Sequence, residues 1–330
     1  MAAYAAEEAG TGTRSVTVGL DVGGTKVLGV AMAGGEVVAE ERVATPARGD
    51  DLLDALVSLV GSLGRAAAGR GPVGAVGVGV PGLVDRRGVL RFAPNLRGAS
   101  GLAVAEGLAA RTAVAVEVDN DATCAAWGEH ELGAARGLDE VVVVTLGTGI
   151  GGGIVTGGRL WRGANGFAGE VGHMVVDPAG PACPCGRRGC WERLASGSGL
   201  GRLAREAAEA GVATRIVELA GGSPDDVRGE HVSAALAEDD AEAAEVMGAF
   251  ARWVAVGLGN LANLLDPQAF VIGGGLVGSG EALLGPVRKA FAAEVEAAGV
   301  RPEIDIVAAT LGERAGAIGA ACLATGSGRG

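Results

Sequence analysis

The sequence predicts a duplicated α/β fold, two domains with a cleft between them. A buried strand that enters a glycine turn and returns as a second strand occurs twice, near residue 20 and again near residue 146. Each copy is followed by alternating strand and helix patterns. The length of 330 residues allows two well-buried cores, and 48% hydrophobic residues with a mean hydropathy of +0.34 mark a folded chain.

The elements follow in order. Residues 1–14 and 326–330 are small and polar and are expected to be flexible tails. Residues 16–20 read as a buried strand, and 27–32 with 37–42 as a hairpin closed around Ala33-Gly34-Gly35. Residues 50–69 have helical spacing, with Leu52, Leu53, Leu56, Leu59, Val60 and Leu63 on one face. A strand at 73–80, a short helix at 102–110, a strand at 114–118 and a helix at 121–132 complete the first round. The second opens with a strand at 141–146, a glycine turn at 147–153 and a return strand at 153–156. Helices follow, one of them long, over 239–265. A strand at 270–272 runs into Gly273-Gly274-Gly275, and a strand near 304–307 and a helix near 312–323 come last. The expected division is a small domain over 15–119, completed by the helix at about 312–325, and a large domain over 120–311.

A net charge of −12 argues against a nucleic-acid surface and against an anionic membrane. It does not argue against a small phosphorylated ligand, because backbone N–H groups in glycine loops hold phosphate without net positive charge. The uncharged run 141–158 holds seven glycines, so it reads as strand–turn–strand and not as a membrane span. No apolar segment follows a basic start, since Glu7 and Glu8 interrupt it, and a cytoplasmic location is expected.

Three of the five cysteines, Cys183, Cys185 and Cys190, fall within eight residues, with His173 just upstream. A Cys-x-Cys pair is too cramped for an ordinary disulfide. One imidazole and three thiolates form a closed tetrahedral set that suits one structural Zn²⁺. The first glycine loop reads Asp21-Val22-Gly23-Gly24-Thr25-Lys26 and the second Leu146-Gly147-Thr148-Gly149. Both are placed to turn amides and a threonine hydroxyl toward phosphate, and Asp21 is placed to hold hydrated Mg²⁺ beside it. Neither is a Gly-x₄-Gly-Lys-Ser/Thr loop or a dinucleotide turn, because each opens a hairpin. Asp119-Asn120-Asp121 ends an apolar strand. An N-cap explains one of the three, and strand ends facing a cleft are where reacting groups are usually placed. Glu170 and Glu192 flank the metal cluster. Three carboxylates and an amide tied to a braced loop suit a polyhydroxylated ligand.

Asp-x-Gly-Gly-Thr-Lys, Asn-Asp-Ala, Leu-Gly-Thr-Gly-x-Gly-Gly-Gly, Glu-x-Gly-His, Cys-x-Cys-Gly-x-x-Gly-Cys-x-Glu and a late Gly-Gly-Gly occur together and in order. In this the chain resembles the ROK (repressor, open reading frame, kinase) family, most of all its actinobacterial-type ATP-dependent glucokinases. The resemblance implies the hexokinase/actin-like, duplicated ribonuclease-H-like fold and phosphorylation of glucose to glucose 6-phosphate by Mg²⁺ and ATP. It implies Asp121 as the base on the sugar 6-hydroxyl, with Gly82, Asn95, Asn120, Glu170, His173 and Glu192 around the sugar. It places Asp21, Gly23, Gly24, Thr25, Lys26, Thr148 and Gly149 at the phosphates, and Gly274 and Gly275 near the adenosine. His173 is expected to serve zinc and sugar together, and the chain to form a homo-oligomer, dimer or tetramer. One departure stands out: family members often carry Glu where this chain has Asp119. Fructose, mannose and N-acetylhexosamine remain alternative substrates, and a non-catalytic sugar-sensing regulator an alternative of another class. The family's repressors carry a helix-turn-helix domain before the first glycine loop, and only twenty residues precede Asp21 here.

Overall fold

The computed structural model describes residues 15–326. The tails expected at 1–14 and 326–330 therefore lie outside the described residues, Gly326 excepted. In the first half, β1 (Val16–Val22), β2 (Lys26–Ala33) and β3 (Glu36–Ala44) form an antiparallel meander. Helix α1 (Leu52–Ala66) then leads to β4 (Val73–Val80), which lies parallel to β1. A small sheet of β5 (Leu83–Val84), β6 (Val89–Phe92) and β7 (Leu102–Ala103) follows. Next come α2 (Val104–Thr112), β8 (Ala115–Asn120), parallel to β4, and α3 (Asp121–Leu132).

The second half repeats the plan. Strand β9 (Val141–Leu146) pairs antiparallel with β10 (Ile150–Thr156), which carries the short β11 (Arg159–Leu160). After the cysteine loop come α4 (Trp191–Ala195), α5 (Gly197–Glu209), α6 (Thr214–Leu219), α7 (Gly229–Leu236) and the long α8 (Ala241–Leu265). Strand β12 (Ala269–Gly273) lies parallel to β9, and after α9 (Glu281–Glu294) β13 (Asp305–Ala308) lies parallel to β12. Helix α10 (Ala315–Ala324) follows. The strand orders β3-β2-β1-β4-β8 and β11-β10-β9-β12-β13 correspond position by position. This is the duplicated ribonuclease-H-like arrangement expected from the sequence.

Each half has its own core. The leucine face of α1 packs with Val18, Leu20, Val76 and Val78 of the first sheet. In the second, α8 places Phe250, Val254 and Leu258 among Val142, Val144 and Phe270. Between the sheets, α3 lies on β9 and β10, α10 lies on β1, β2 and β4, and the two helices pack against each other. Their approach depends on the absence of side chains. A Cβ on Gly319 would fall on the Cys124 carbonyl, and one on Gly77 on the Ala320 carbonyl.

Three expectations are corrected. The glycine turn at 147–153 is only Gly147-Thr148-Gly149, and Gly151, Gly152 and Gly153 belong to β10. They are glycines for packing and not for turning: a Cβ on Gly153 would strike Ala126 of α3. The helix expected at 102–110 starts at Val104, after the two-residue strand β7. The strand expected at 114–118 continues to Asn120, which carries Asp119 and Asn120 to the sheet edge.

Candidate active site

Parallel strands present their C-terminal ends on one edge, and that edge of the first sheet is acidic. Asp21 of β1 is opposite Gly79 of β4, and Gly79 is opposite Asp119 of β8. The chain leaves β8 at Asn120 and turns at once into α3. Asn120 is the N-cap: its Oδ1 accepts from the Thr123 N–H at 3.0 Å, and its Nδ2 donates to the Gly82 carbonyl at 3.2 Å. The Asn120 side chain also hydrogen-bonds the Asp121 carboxylate, so one lone pair of Oδ1 is left for a ligand. Asp121 is the first residue of α3. Its carboxylate accepts from the Ala122 N–H at 2.9 Å, and also from its own backbone N–H and from the Asn120 side chain, so the strand–helix junction fixes its orientation. Burial raises the Asp121 pKa above the ordinary aspartate value.

Asp119 has a different environment. It is buried, and its Oδ2 accepts from Arg162 Nε at 2.5 Å while Oδ1 accepts from the Asn120 N–H at 2.8 Å. Arg162 comes from beyond β11, so this ion pair ties the two halves together beneath the site. The carboxylate that departs from the family pattern is therefore committed to an arginine.

Asp21 is pushed up to about 7 by burial and then by the Asp121 charge, with Lys26 opposing. A buried acidic pair with so little cationic compensation fits a bound divalent cation. The turn from Gly23 to Thr25 is closed by the Gly23 N–H donating to the Lys26 carbonyl at 2.8 Å. It is pinned by Thr45 Oγ1 donating to the Gly23 carbonyl at 2.7 Å. Lys26 Nζ is 3.0 Å from Glu313.

His173, Cys183, Cys185 and Cys190 place one ligand atom each within 4.8 Å of one another. Cys185 and Cys190 sulfurs are 3.5 Å apart, too far for a disulfide, and Cys183 Sγ is 3.8 Å from His173 Nδ1. Zinc–sulfur bonds of about 2.3 Å put tetrahedral ligands about 3.8 Å apart, so the set fits Zn²⁺ with a small inward adjustment of its widest pair. The Arg187 backbone N–H lowers the Cys185 thiol to about 6, favouring thiolate. The other edge of the imidazole faces the cleft, with Nε2 3.9 Å from Glu170 Oε2. Glu192 Oε1 is 3.7 Å from Nδ1 and accepts from Cys183 Sγ at 3.2 Å. Burial raises the Glu170 pKa, and the charges of Asp121 and Glu192 add to it while His173 opposes. The carboxylates of Asp121, Glu170 and Glu192 thus share one electrostatic neighbourhood.

Glu192 also reaches the second glycine loop. Its Oε2 lies 2.7 Å from where a Gly149 Cβ would stand. That loop is held by Ser198 Oγ donating to the Thr148 carbonyl at 2.9 Å and by the Gly197 N–H donating to Gly147 at 2.8 Å. Beside it opens a cleft of about 950 Å³, lined on one side by Lys26, Thr148 and Gly275 and on the other by the start of α5 and the arginines around it. Gly274, with φ of 84°, lies behind Gly275 against the Leu146 backbone. Asn95 is exposed in the turn after β6, and nothing in its surroundings ties it to Asp121. Sequence reasoning missed Arg162, Arg193, Arg202, Arg205 and Arg228. Their only signal was isolated arginines, which read like solvated surface.

A profile of the ROK family matches residues 17–327. The glucokinase of Streptomyces coelicolor is 41% identical over 313 residues, covering 94% of this chain and 97% of that protein. The glucokinase of Thermotoga maritima is 38% identical, covering 75% of this chain and 78% of its own. The crystal structure of a ROK family glucokinase from Streptomyces griseus, in complex with glucose and AMPPNP, superposes with a TM-score of 0.82 at 40% identity. It covers 94% of this chain and 100% of that one.

Proposed function

The chain belongs to the ROK family, and from that premise we propose that it is a glucokinase, transferring the terminal phosphoryl group of ATP to the 6-hydroxyl of glucose. The fold is hexokinase/actin-like. The observation that carries the reading is the position of Asp121. Its charge acts both on Glu170, beside His173 and Glu192, and on Asp21 at the first glycine loop.

In this reading the Asp121 carboxylate takes the proton of the 6-hydroxyl as the hydroxyl oxygen attacks the γ-phosphorus. The bond from the γ-phosphorus to its bridging oxygen breaks, and ADP leaves with the electron pair. Burial favours the neutral acid and so makes Asp121 a stronger base than an exposed aspartate. Glu170, Glu192, His173 and Asn120 hold the remaining hydroxyls. Thr25, Lys26, Thr148 and Gly149 face the phosphates, and Gly274 and Gly275 the adenosine. Mg²⁺ enters with ATP, and Asp21 is the carboxylate placed to meet it. Zn²⁺, held by His173, Cys183, Cys185 and Cys190, is structural and fixes the loop from which Glu170 and Glu192 reach the sugar.

ADP release measured across a panel of hexoses tests the reading. Glucose should give the highest kcat/KM. A clear preference for fructose, mannose or an N-acetylhexosamine would change the substrate, and no ATP-dependent turnover would favour a sugar-sensing regulator. No helix among the described residues is long and apolar enough to cross a membrane. We further infer a cytoplasmic enzyme, supported by a cysteine cluster whose sulfurs are spaced for metal and not for a disulfide, and we infer a homo-oligomer. Light scattering on the purified protein reads the oligomeric state.

A further inference from the structure

Four arginines, Arg193, Arg202, Arg205 and Arg228, line the cleft beside the phosphate loops in a chain of net charge −12. Some of their bonding is accounted for within the protein. Arg202 pairs with Glu206 at 2.5 Å, and Arg205 donates to the Val227 carbonyl at 2.7 Å. Arg193 differs. Its Nε is buried without a hydrogen-bond partner, and no carboxylate pairs with its guanidinium among the described residues. The Nε of Arg202 is buried and unpartnered as well. A guanidinium keeps its charge at any physiological pH, so these donors cannot escape the cost by losing a proton. Buried donors left unmade are costly to the fold and point to a ligand that supplies the acceptors.

The position of Arg193 says which ligand. It follows Glu192 on the short helix α4, directly after the zinc ligand Cys190. Glu192 touches His173 and abuts Gly149, on the sugar side. Arg193 lines the donor cleft with Thr148, Gly197 and Ser198. Two consecutive side chains of one helical turn thus face the two substrates. Arg202 lies about 7 Å further along α5 than Gly197, so the guanidiniums mark out a stretch and not a point. A chain of phosphates matches that arrangement in charge, in acceptor oxygens and in extent.

We propose that Arg193 grips the phosphate chain of the donor, with Arg202 as a second contact further along it. This rests on the proposed ATP-dependent kinase function. As the bond between O6 of the sugar and the γ-phosphorus forms and the bridging bond breaks, negative charge gathers on the departing diphosphate. The fork of Arg193 donates N–H bonds to those oxygens, while the proton of the hydroxyl goes to Asp121. The zinc loop then positions both substrates, the sugar through Glu192 and the donor through Arg193.

Arg193→Met keeps the stem and removes the charged fork. At saturating glucose, kcat/KM for ATP should fall about 100-fold. The glucose Kd, measured by calorimetry without nucleotide, and the Tm should stay near wild type. Arg193→Lys should restore only part of the rate, because a point charge does not reproduce the fork. Inorganic tripolyphosphate, titrated into glucose-loaded protein, reads the anion site without adenosine or chemistry, and its affinity should drop about tenfold in Arg193→Met. Unchanged ATP kinetics and unchanged tripolyphosphate affinity would overturn the proposal. So would a matching loss of glucose affinity or of Tm, which would make Arg193 a packing residue. If the wild type phosphorylated no hexose with ATP, the functional reading would fall instead, and the tripolyphosphate titration would still decide the role of Arg193.

Discussion

Asp119 and Asp121 are two residues apart and do different work because the strand ends between them. Asp119 belongs to β8 and is held by Arg162, whereas Asp121 opens α3 and is held only by neutral donors of the strand–helix junction. The two aspartate-to-asparagine variants should therefore fail differently. Asp121→Asn keeps shape and hydrogen bonding, so stability should hold while turnover drops by about 10²–10⁴-fold. Asp119→Asn removes the negative charge from the ion pair with Arg162, at a cost on the order of 3 kcal/mol, and should lower the Tm before it lowers the chemistry. Retained turnover in Asp121→Asn, with loss in Asp119→Asn at full stability, would reverse the assignment. The pH profile adds an independent reading. A base works as the carboxylate, and burial raises the Asp121 pKa from the ordinary 3.8. Activity should thus be lost as pH falls through a limb above 3.8, and regained as pH rises. A limb at or below the ordinary value would show that the rate does not follow this group.

At the scale of elements, the cysteine loop would, on the proposed function, govern the sugar side through His173 and Glu192. Cys185→Ser removes one thiolate from the exposed corner of the metal set. It should weaken zinc retention, measured by metal analysis after dialysis, and raise the KM for glucose more than that for ATP at matched metal loss. Metal-depleted protein that stayed folded and bound glucose as before would mean that the loop is remote from recognition. This loop was fully legible in the sequence, because a metal set built from three near-neighbour cysteines and one histidine is a local pattern. Other elements were not. Strands of two residues such as β5, β7 and β11 have no periodicity to read, and the triple glycine at 151–153 looks like a turn until α3 is seen lying against it. The Asp119–Arg162 pair spans 43 positions, and no local signal announces it. Arg193 differs from a surface arginine only in what surrounds it.

Across the whole molecule, the proposed sugar-facing groups and the first glycine loop belong to different halves, joined where α3 meets α10. Glucose should draw the halves together, exclude water from the transferring group and limit idle hydrolysis of ATP. Small-angle scattering should show a smaller radius of gyration with glucose than without. An unchanged radius would place the motion in loops alone.

The docking of α10 on β1 and β4 also bears on how the protein is made. Translation delivers β1 nearly three hundred residues before α10, so one face of the first sheet, with Leu28 and Val30, must wait bare while the whole second half emerges. Strands usually cover such faces early, and this one stays an open target for chaperones or for sticking to a neighbouring nascent chain. Chains halted after residue 310 should keep the second half resistant to protease while the segment 15–119 is cut. Chains released after residue 326 should resist throughout. Equal resistance in both would mean that the first half closes over its core without α10. The last helix would then be a latch fitted to a finished domain, and not the piece on which that domain depends.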